Sequence, residues 1–273
     1  MDPETGEVGV AVASCVGFEV TVVPVLVPGV GAAASQASLS APSGALLVEA
    51  LTDGATASEA VVVVVAADDA PDERQFGVVV VDDGGAGWTG SDTFDVALDR
   101  RSDDGTVSVQ GNILVSEAVV DAAIAAFDAS DGDLPDRLLA GLVAAADEGG
   151  DSRCGAQTAR SAALIVARPG DENSAHTDAA PLGVDPDAEV VPSVFVSVVV
   201  EEGGERAPDR LVEAWNSADR EAELVVIRQI DDGADTARRQ GRTVVFVFVG
   251  AIVLIGVVVV GSIVWTRHRR NMC

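Results

Sequence analysis

Two short stretches gather side chains that could act on a ligand. Gln110, Gly111 and Asn112 stand at the end of a predicted strand. Carboxamides there can donate to an oxyanion, and Gly111 lets the backbone approach closely. Asp151 and Arg153 stand in a glycine-rich loop ahead of a strand that carries Ser161. An Asp–Arg pair can orient a carboxylate or an amide of a substrate. Each stretch also has a plainer reading: a strand-to-helix turn that needs a glycine and a polar cap, and a loop salt bridge. Cys15, near the end of the first predicted strand, would border the same region. Its type reads as a small buried hydrophobe ahead of a nucleophile.

Nothing else rises to a motif. The sequence has no GxGxxG between strand and helix, no P-loop, no HExxH and no GxSxG. Gly84 to Gly87 has no helix after it and reads as a hairpin loop. The three cysteines, Cys15, Cys154 and Cys273, are too few and too scattered for a disulfide framework or a zinc site, and read as unrelated thiols. His176 lies in a polar loop and His268 in a basic tail, so no metal cluster and no cofactor is expected.

The chain has 273 residues, with 44 Asp and Glu against 17 basic residues and a net charge of −27. With 48% hydrophobic residues it is not a wholly disordered acidic chain, and its charge disfavours nucleic acid as a partner. All 17 basic residues are Arg. A Lys-free composition rich in Ala, Val, Gly and Asp resembles the salt-adapted proteomes of haloarchaea, where repulsion between carboxylates is screened. The charge is uneven: residues before 238 carry all the carboxylates and 11 Arg, a net −33, and the rest carries 6 Arg.

The elements that must position the candidate residues follow from periodicity and turn chemistry. Strands are expected over Glu7–Ser14, Phe18–Val27, Gly29–Ala37, Gln75–Asp82, a short stretch near Trp88, Thr106–Leu114, Arg160–Ala167 and Ser193–Val200. Helices are expected over Pro42–Asp53, Ala57–Ala67, Ser116–Phe127, from Asp133 to the Gly149-Gly150 stop, and over Pro208–Ala218. Val61 to Val65 favours a strand by propensity, but Thr56-Ala57-Ser58-Glu59 is a capping box and decides for helix. Pro169–Asp187 reads as a polar loop. Runs of strands followed by paired helices point to an α+β fold.

Thr243–Trp265 is a run of 23 residues without a charge. As a helix it would span about 34 Å, enough for a hydrocarbon core of about 30 Å. It is expected to be a transmembrane helix with the lipid bilayer as its partner, Trp265 marking one interface. Arg238, Arg239 and Arg242 before it balance Arg267, Arg269 and Arg270 after it. The start of the chain lacks the basic and apolar regions of a signal peptide, so the acidic domain is expected on the cytoplasmic side of a single-pass anchor.

Five segments carry a family resemblance: DPETGEVGVAVAS (Asp2–Ser14), GVGAAASQA (Gly29–Ala37), RQFGVVVVD (Arg74–Asp82), VQGNIL (Val109–Leu114) and GGDSRCGAQTARSAALIV (Gly149–Val166). In this order they resemble the uncharacterised family called domain of unknown function 1028, over roughly residues 2 to 218. The resemblance implies an N-terminal-nucleophile (Ntn) hydrolase-like fold, a four-layer αββα sandwich. The expected domains are residues 1–230, a linker over 231–242, the helix over 243–265 and a basic tail over 266–273. Family members usually begin with one more apolar strand before the Asp-Pro-Glu-Thr-Gly turn. In Ntn hydrolases that strand starts with the Thr, Ser or Cys whose own amine serves as base. Here Met1 lies inside the turn, Asp2 and Pro3 cannot be that nucleophile, and use of Thr5 would require cleavage after Glu4. The expected function is amide-bond hydrolysis by analogy on a membrane-anchored protein; the alternative is a non-catalytic binding or scaffold domain tethered to the membrane.

Overall fold

Val8–Ser14 is buried along its whole length, so this strand must be covered on both faces. The computed structural model describes residues 1–171, 192–231, 251–255 and 258–260. Its strands are β1 (Val8–Ser14), β2 (Pro24–Val27), β3 (Gly31–Ala37), β4 (Arg74–Val80), β5 (Gly84–Thr89), β6 (Leu98–Arg101), β7 (Ser108–Gly111), β8 (Ser161–Ala167), β9 (Val194–Val199), β10 (Val225–Ile230), β11 (Ala251–Ile255) and β12 (Val258–Val260). Its helices are α1 (Ala41–Thr52), α2 (Ala57–Ala67), α3 (Ala118–Ala129), α4 (Leu134–Asp147) and α5 (Ala207–Asn216).

One sheet runs β10-β9-β8-β1-β11-β7-β6, with β12 against β11, and the other runs β2-β3-β4-β5. The sheets face each other through β1, β11 and β7 on one side and β2, β3 and β4 on the other. Helices α3, α4 and α5 contact the first sheet, and α1 and α2 the second. The α+β expectation holds, and the layers run helix, sheet, sheet, helix.

Local sequence explains most elements. In α2 the Thr56 side chain accepts from the Glu59 amide and Glu59 reaches back to the Thr56 amide. Ala57, Ala60, Val61 and Val64 are buried at helical spacing, while Val62 and Val63 stay exposed. Ser40 and Asp133 cap α1 and α4, each with proline in the first turn.

The structure corrects several expectations. Gly84–Gly87 lies within β5 rather than in a loop; the turn is at 81–83. A Cβ on Gly87 would meet the Asp99 carboxylate of β6 at 2.5 Å, so a side chain there would have to displace that carboxylate. Only Pro24–Val27 of the expected Phe18–Val27 strand forms, and the two edge strands β6 and β10 were not expected. Their mixed polar sequences, LDRR and VVIRQI, give no clean alternation.

The largest correction concerns the apolar run. Two pieces of Thr243–Trp265 are the antiparallel strands β11 and β12, not a continuous helix. No helix among the described residues is long and apolar enough to cross a membrane. The physical reason is twofold. Ten of the 23 residues are Val, which favours extended backbone outside lipid. In addition, β1 and β7 each offer an edge that needs backbone partners, and β11 supplies them to both. The remainder of that run, the part of the expected Pro169–Asp187 loop beyond Asp171, and the linker and tail expected after Asp231 lie outside the described residues, as do His176 and His268.

Candidate functional site

The candidate residues converge because several strands end on one rim. Ser14 closes β1 opposite Ser161, which opens β8. Gln110 lies near the end of β7, and Gln36 and Gln75 are register partners at the neighbouring ends of β3 and β4. Ser14, Gln36, Gln75, Gln110, Asn112 and Asp151 are all essentially inaccessible to solvent.

Between the sheets these residues form a layer of carboxamides. Gln75 is its hub: its Oε1 accepts from Gln36 Nε2 at 2.7 Å and from Asn112 Nδ2 at 3.1 Å. Its own Nε2 donates to Thr89 Oγ1 at 2.9 Å and to the Gly111 carbonyl at 3.0 Å. Thr89 in turn donates to Asp99. Gln110 differs. Neither its Nε2 nor its Oε1 has a hydrogen-bond partner among the described residues. Its amide lies against Gly77, where an added Cβ would fall 2.3 Å from Oε1.

Asp151 joins the same rim through the chain after β7. Leu114 and Asp151 form an isolated bridge, and the Ser152 amide donates to the Ile113 carbonyl. One Asp151 oxygen accepts from the Arg153 amide at 3.0 Å and from its Nε at 2.9 Å. The other accepts from the Cys15 amide at 3.2 Å and from the far end of the Arg153 guanidinium. Gly149 and Gly150, at φ +103° and +54°, make the turn that brings the carboxylate inward. Asp151 therefore holds the end of β1 to the loop and fixes the Arg153 fork.

Cys15 and Cys154 are joined in a disulfide with Cα atoms 5.5 Å apart, which corrects the reading of unrelated thiols and removes Cys15 as a nucleophile in this state. The sequence separation of 139 residues hid the pairing, since it exists only because β1 pairs with β8. Thr5 stays in the exposed amino-terminal turn, accepting from the Glu7 amide.

Of the four residues named from sequence, Asn112 joins the carboxamide layer, Gln110 sits beside it, and Asp151 with Arg153 forms the adjoining pair. Sequence reading missed Ser14, Gln36 and Gln75. The signal was a glutamine at an inward position of an otherwise apolar strand, as in GAAASQA.

Backbone register marks the centre of the rim. Val12 pairs with Val253 and Val253 with Gln110. The next pair toward the rim is Ala13 with Ile252, one residue before Ser14. Beyond the disulfide opens a cleft of about 1030 Å³, lined by Cys15, Arg153, Gln157, Arg160, the 202–206 loop and one side of α5.

The model of a family described as "Family of unknown function (DUF1028)" matches residues 1–193. The chain belongs to the DUF1028 family. A crystal structure of protein SPO2555 from Silicibacter pomeroyi, of the same family, is similar with a TM-score of 0.61 at 24% identity, covering 80% of this chain and 87% of that one. At that identity the likeness speaks for the DUF1028 fold and not for an activity. No curated protein matches the chain.

Proposed function

We propose that this DUF1028 chain has an Ntn-hydrolase-like fold and recognises an amide group at the rim formed by Ser14, Gln36, Gln75, Gln110, Asn112 and Asp151. In the form that starts at Met1, with β11 in the adjoining strand position and the rim closed to solvent, it does not hydrolyse amides. The observation that carries this reading is the occupant of the strand position between β1 and β7. Strand β11 holds it: Val253 stands between Val12 of β1 and Gln110 of β7, and Ile252 pairs with Ala13, so the residues set there carry no nucleophilic group. Across from Val253 stands the Gln110 carboxamide, whose Nε2 has no hydrogen-bond partner among the described residues and is a donor of the kind that stabilises an oxyanion.

The amino-terminal turn indicates how catalysis would be restored. Asp2 and Glu7 close a hairpin through the Asp2 amide and the Glu7 carbonyl. Residues placed before Met1 would run antiparallel to β1 on the side away from β8, which is the position β11 occupies. Counting along that hairpin, the residue opposite Ser14 is the first of six added residues. A Thr there would bring its hydroxyl and its free amine to the rim together, the amine serving as base.

The test uses two forms, the chain from Met1 and the same chain with six apolar strand residues led by Thr, assayed on aryl amides. The extended form is expected to turn over substrate, and changing its leading Thr to Ala to remove several orders of magnitude of rate. Turnover by the Met1 form would overturn the reading. We also read the acidic, Lys-free composition as an adaptation to molar salt.

A further inference from the structure

We propose that the cleft beyond the disulfide is a binding site for a small carboxylate-bearing molecule, received by the guanidinium of Arg160. The cleft is lined by four arginines, Arg153, Arg160, Arg206 and Arg210, and by four carboxylates, Glu202, Glu205, Asp209 and Glu213, so what matters is which arginine is left without a strong partner. Three of them are committed. Arg153 is clamped on buried Asp151. Arg206 holds Asp209 through two nitrogens at 2.7 Å and reaches Asp147 at 2.7 Å. Arg210 binds Gln229 through Nε and Glu205 through Nη1.

Arg160 is different. Its Nε is buried and has no hydrogen-bond partner among the described residues. Its Nη1 contacts Glu202 at 3.2 Å, and the Glu202 side chain is 84% exposed. A pair of that kind is weak, because water and salt compete for it. A buried guanidinium N–H left unpaired is costly. The Nε and Nη donors of an arginine form a fork that matches the two oxygens of a carboxylate. A ligand carboxylate would fill the vacant Nε, displace Glu202 at small cost and leave its remaining atoms in the cleft, whose volume suits a small molecule. Gln157 keeps the wall in place: its Nε2 donates to the Glu201 and Glu205 carbonyls, and its Oε1 accepts from the Gly203 amide.

This inference goes beyond the amide reading and does not rest on it, since none of these contacts uses the carboxamide layer. The probe is acetate, titrated into the full chain at one fixed KCl concentration while the Arg160 Nε–H signal is followed by NMR. A saturable shift is expected. Glu202→Gln, which removes the competing carboxylate, is expected to tighten binding about threefold, the size of a surface ion pair. Arg160→Gln, followed by saturation-transfer NMR of acetate, is expected to weaken binding at least tenfold. A shift without saturation, no gain in Glu202→Gln, or unchanged affinity in a folded Arg160→Gln protein would each overturn the assignment. Tighter binding of inorganic phosphate than of acetate would overturn the carboxylate class.

Discussion

Replacing Gln110 with Met should make the protein more stable. The Gln110 amide is fully buried and both of its polar atoms lack a partner among the described residues. A buried amide without hydrogen bonds costs about 1–3 kcal/mol by mutational measures. Met has nearly the same shape and length without the polar atoms, so Gln110→Met should recover about 2 kcal/mol. For a domain of this size each kcal/mol raises Tm by about 2–4 °C, which gives about 4–8 °C. Gly77→Ala supplies the complementary test, because its new Cβ would fall 2.3 Å from Gln110 Oε1. Alone it should cost about 1–3 kcal/mol by overpacking, and Gly77→Ala combined with Gln110→Ala should relieve part of that loss. Urea unfolding followed by circular dichroism measures all four proteins. A Gln110→Met protein less stable than the parent by 1 kcal/mol or more would refute the reasoning, since it would mean that the amide is well bonded. If the stabilised protein also loses affinity for amides, the glutamine is retained for recognition at the expense of stability, as functional sites commonly are.

Three further outcomes follow from other parts of the molecule. Burial, reinforced by Arg137, lowers the Met1 ammonium to about 5, and its nitrogen donates to the Thr106 carbonyl at 2.9 Å; unfolded, it titrates near 8, so the unfolded chain binds the extra proton between pH 5 and 8 and stability should rise with pH there by up to about 4 kcal/mol. With no Lys in the sequence this is the sole amine of the chain, so the pH dependence of its acylation reads its pKa directly, and a value near 8 in the folded protein would contradict the burial. Deleting residues 243–273 should lower the urea midpoint of the remaining domain, because β11 pairs with both β1 and β7; an unchanged midpoint would show that the segment is not part of the sheet. Raising KCl from 0.1 M to 3 M should stabilise the fold by screening the net charge of −27, and equal unfolding curves would remove the salt-adaptation reading.

Most of the first 230 residues were legible because their elements are locally consistent. The Thr56–Glu59 capping box overrode five consecutive valines, and in the structure those valines split into buried and exposed positions at helical spacing. The failures have physical causes of another kind. The β11 segment is apolar enough for a bilayer and β-branched enough for a sheet, and only the open edges of β1 and β7 decide between them. The disulfide could not be read because strand pairing alone brings Cys15 to Cys154. The carboxamide hub escaped for the same reason. Gln75 is unremarked in RQFGVVV, and its importance comes from contacts with β3, β5 and β7, which no local spacing encodes.

The chemistry of the rim also differs in kind from the surface around it. The surface is a crowd of carboxylates and arginines whose mutual forces depend on salt, with a screening length of about 3 Å at 1 M. The rim is built of hydroxyls and carboxamides, neutral groups whose hydrogen bonds are indifferent to ionic strength. Asp151 is the one charged side chain of the rim, and it is held at contact distance by the Cys15 amide, the Arg153 amide and the Arg153 guanidinium. Salt screens poorly at such distances inside a protein. Geometry at the rim should therefore be the same in dilute buffer and in molar salt, provided the sheets themselves stay folded. The disulfide and the Asp151 clamp meet at the one point, after Ser14, where β1 leaves the sheet. They fix the end of β1 against which β11 aligns, so the geometry of the rim is set by the scaffold and not by the strand that happens to lie beside it.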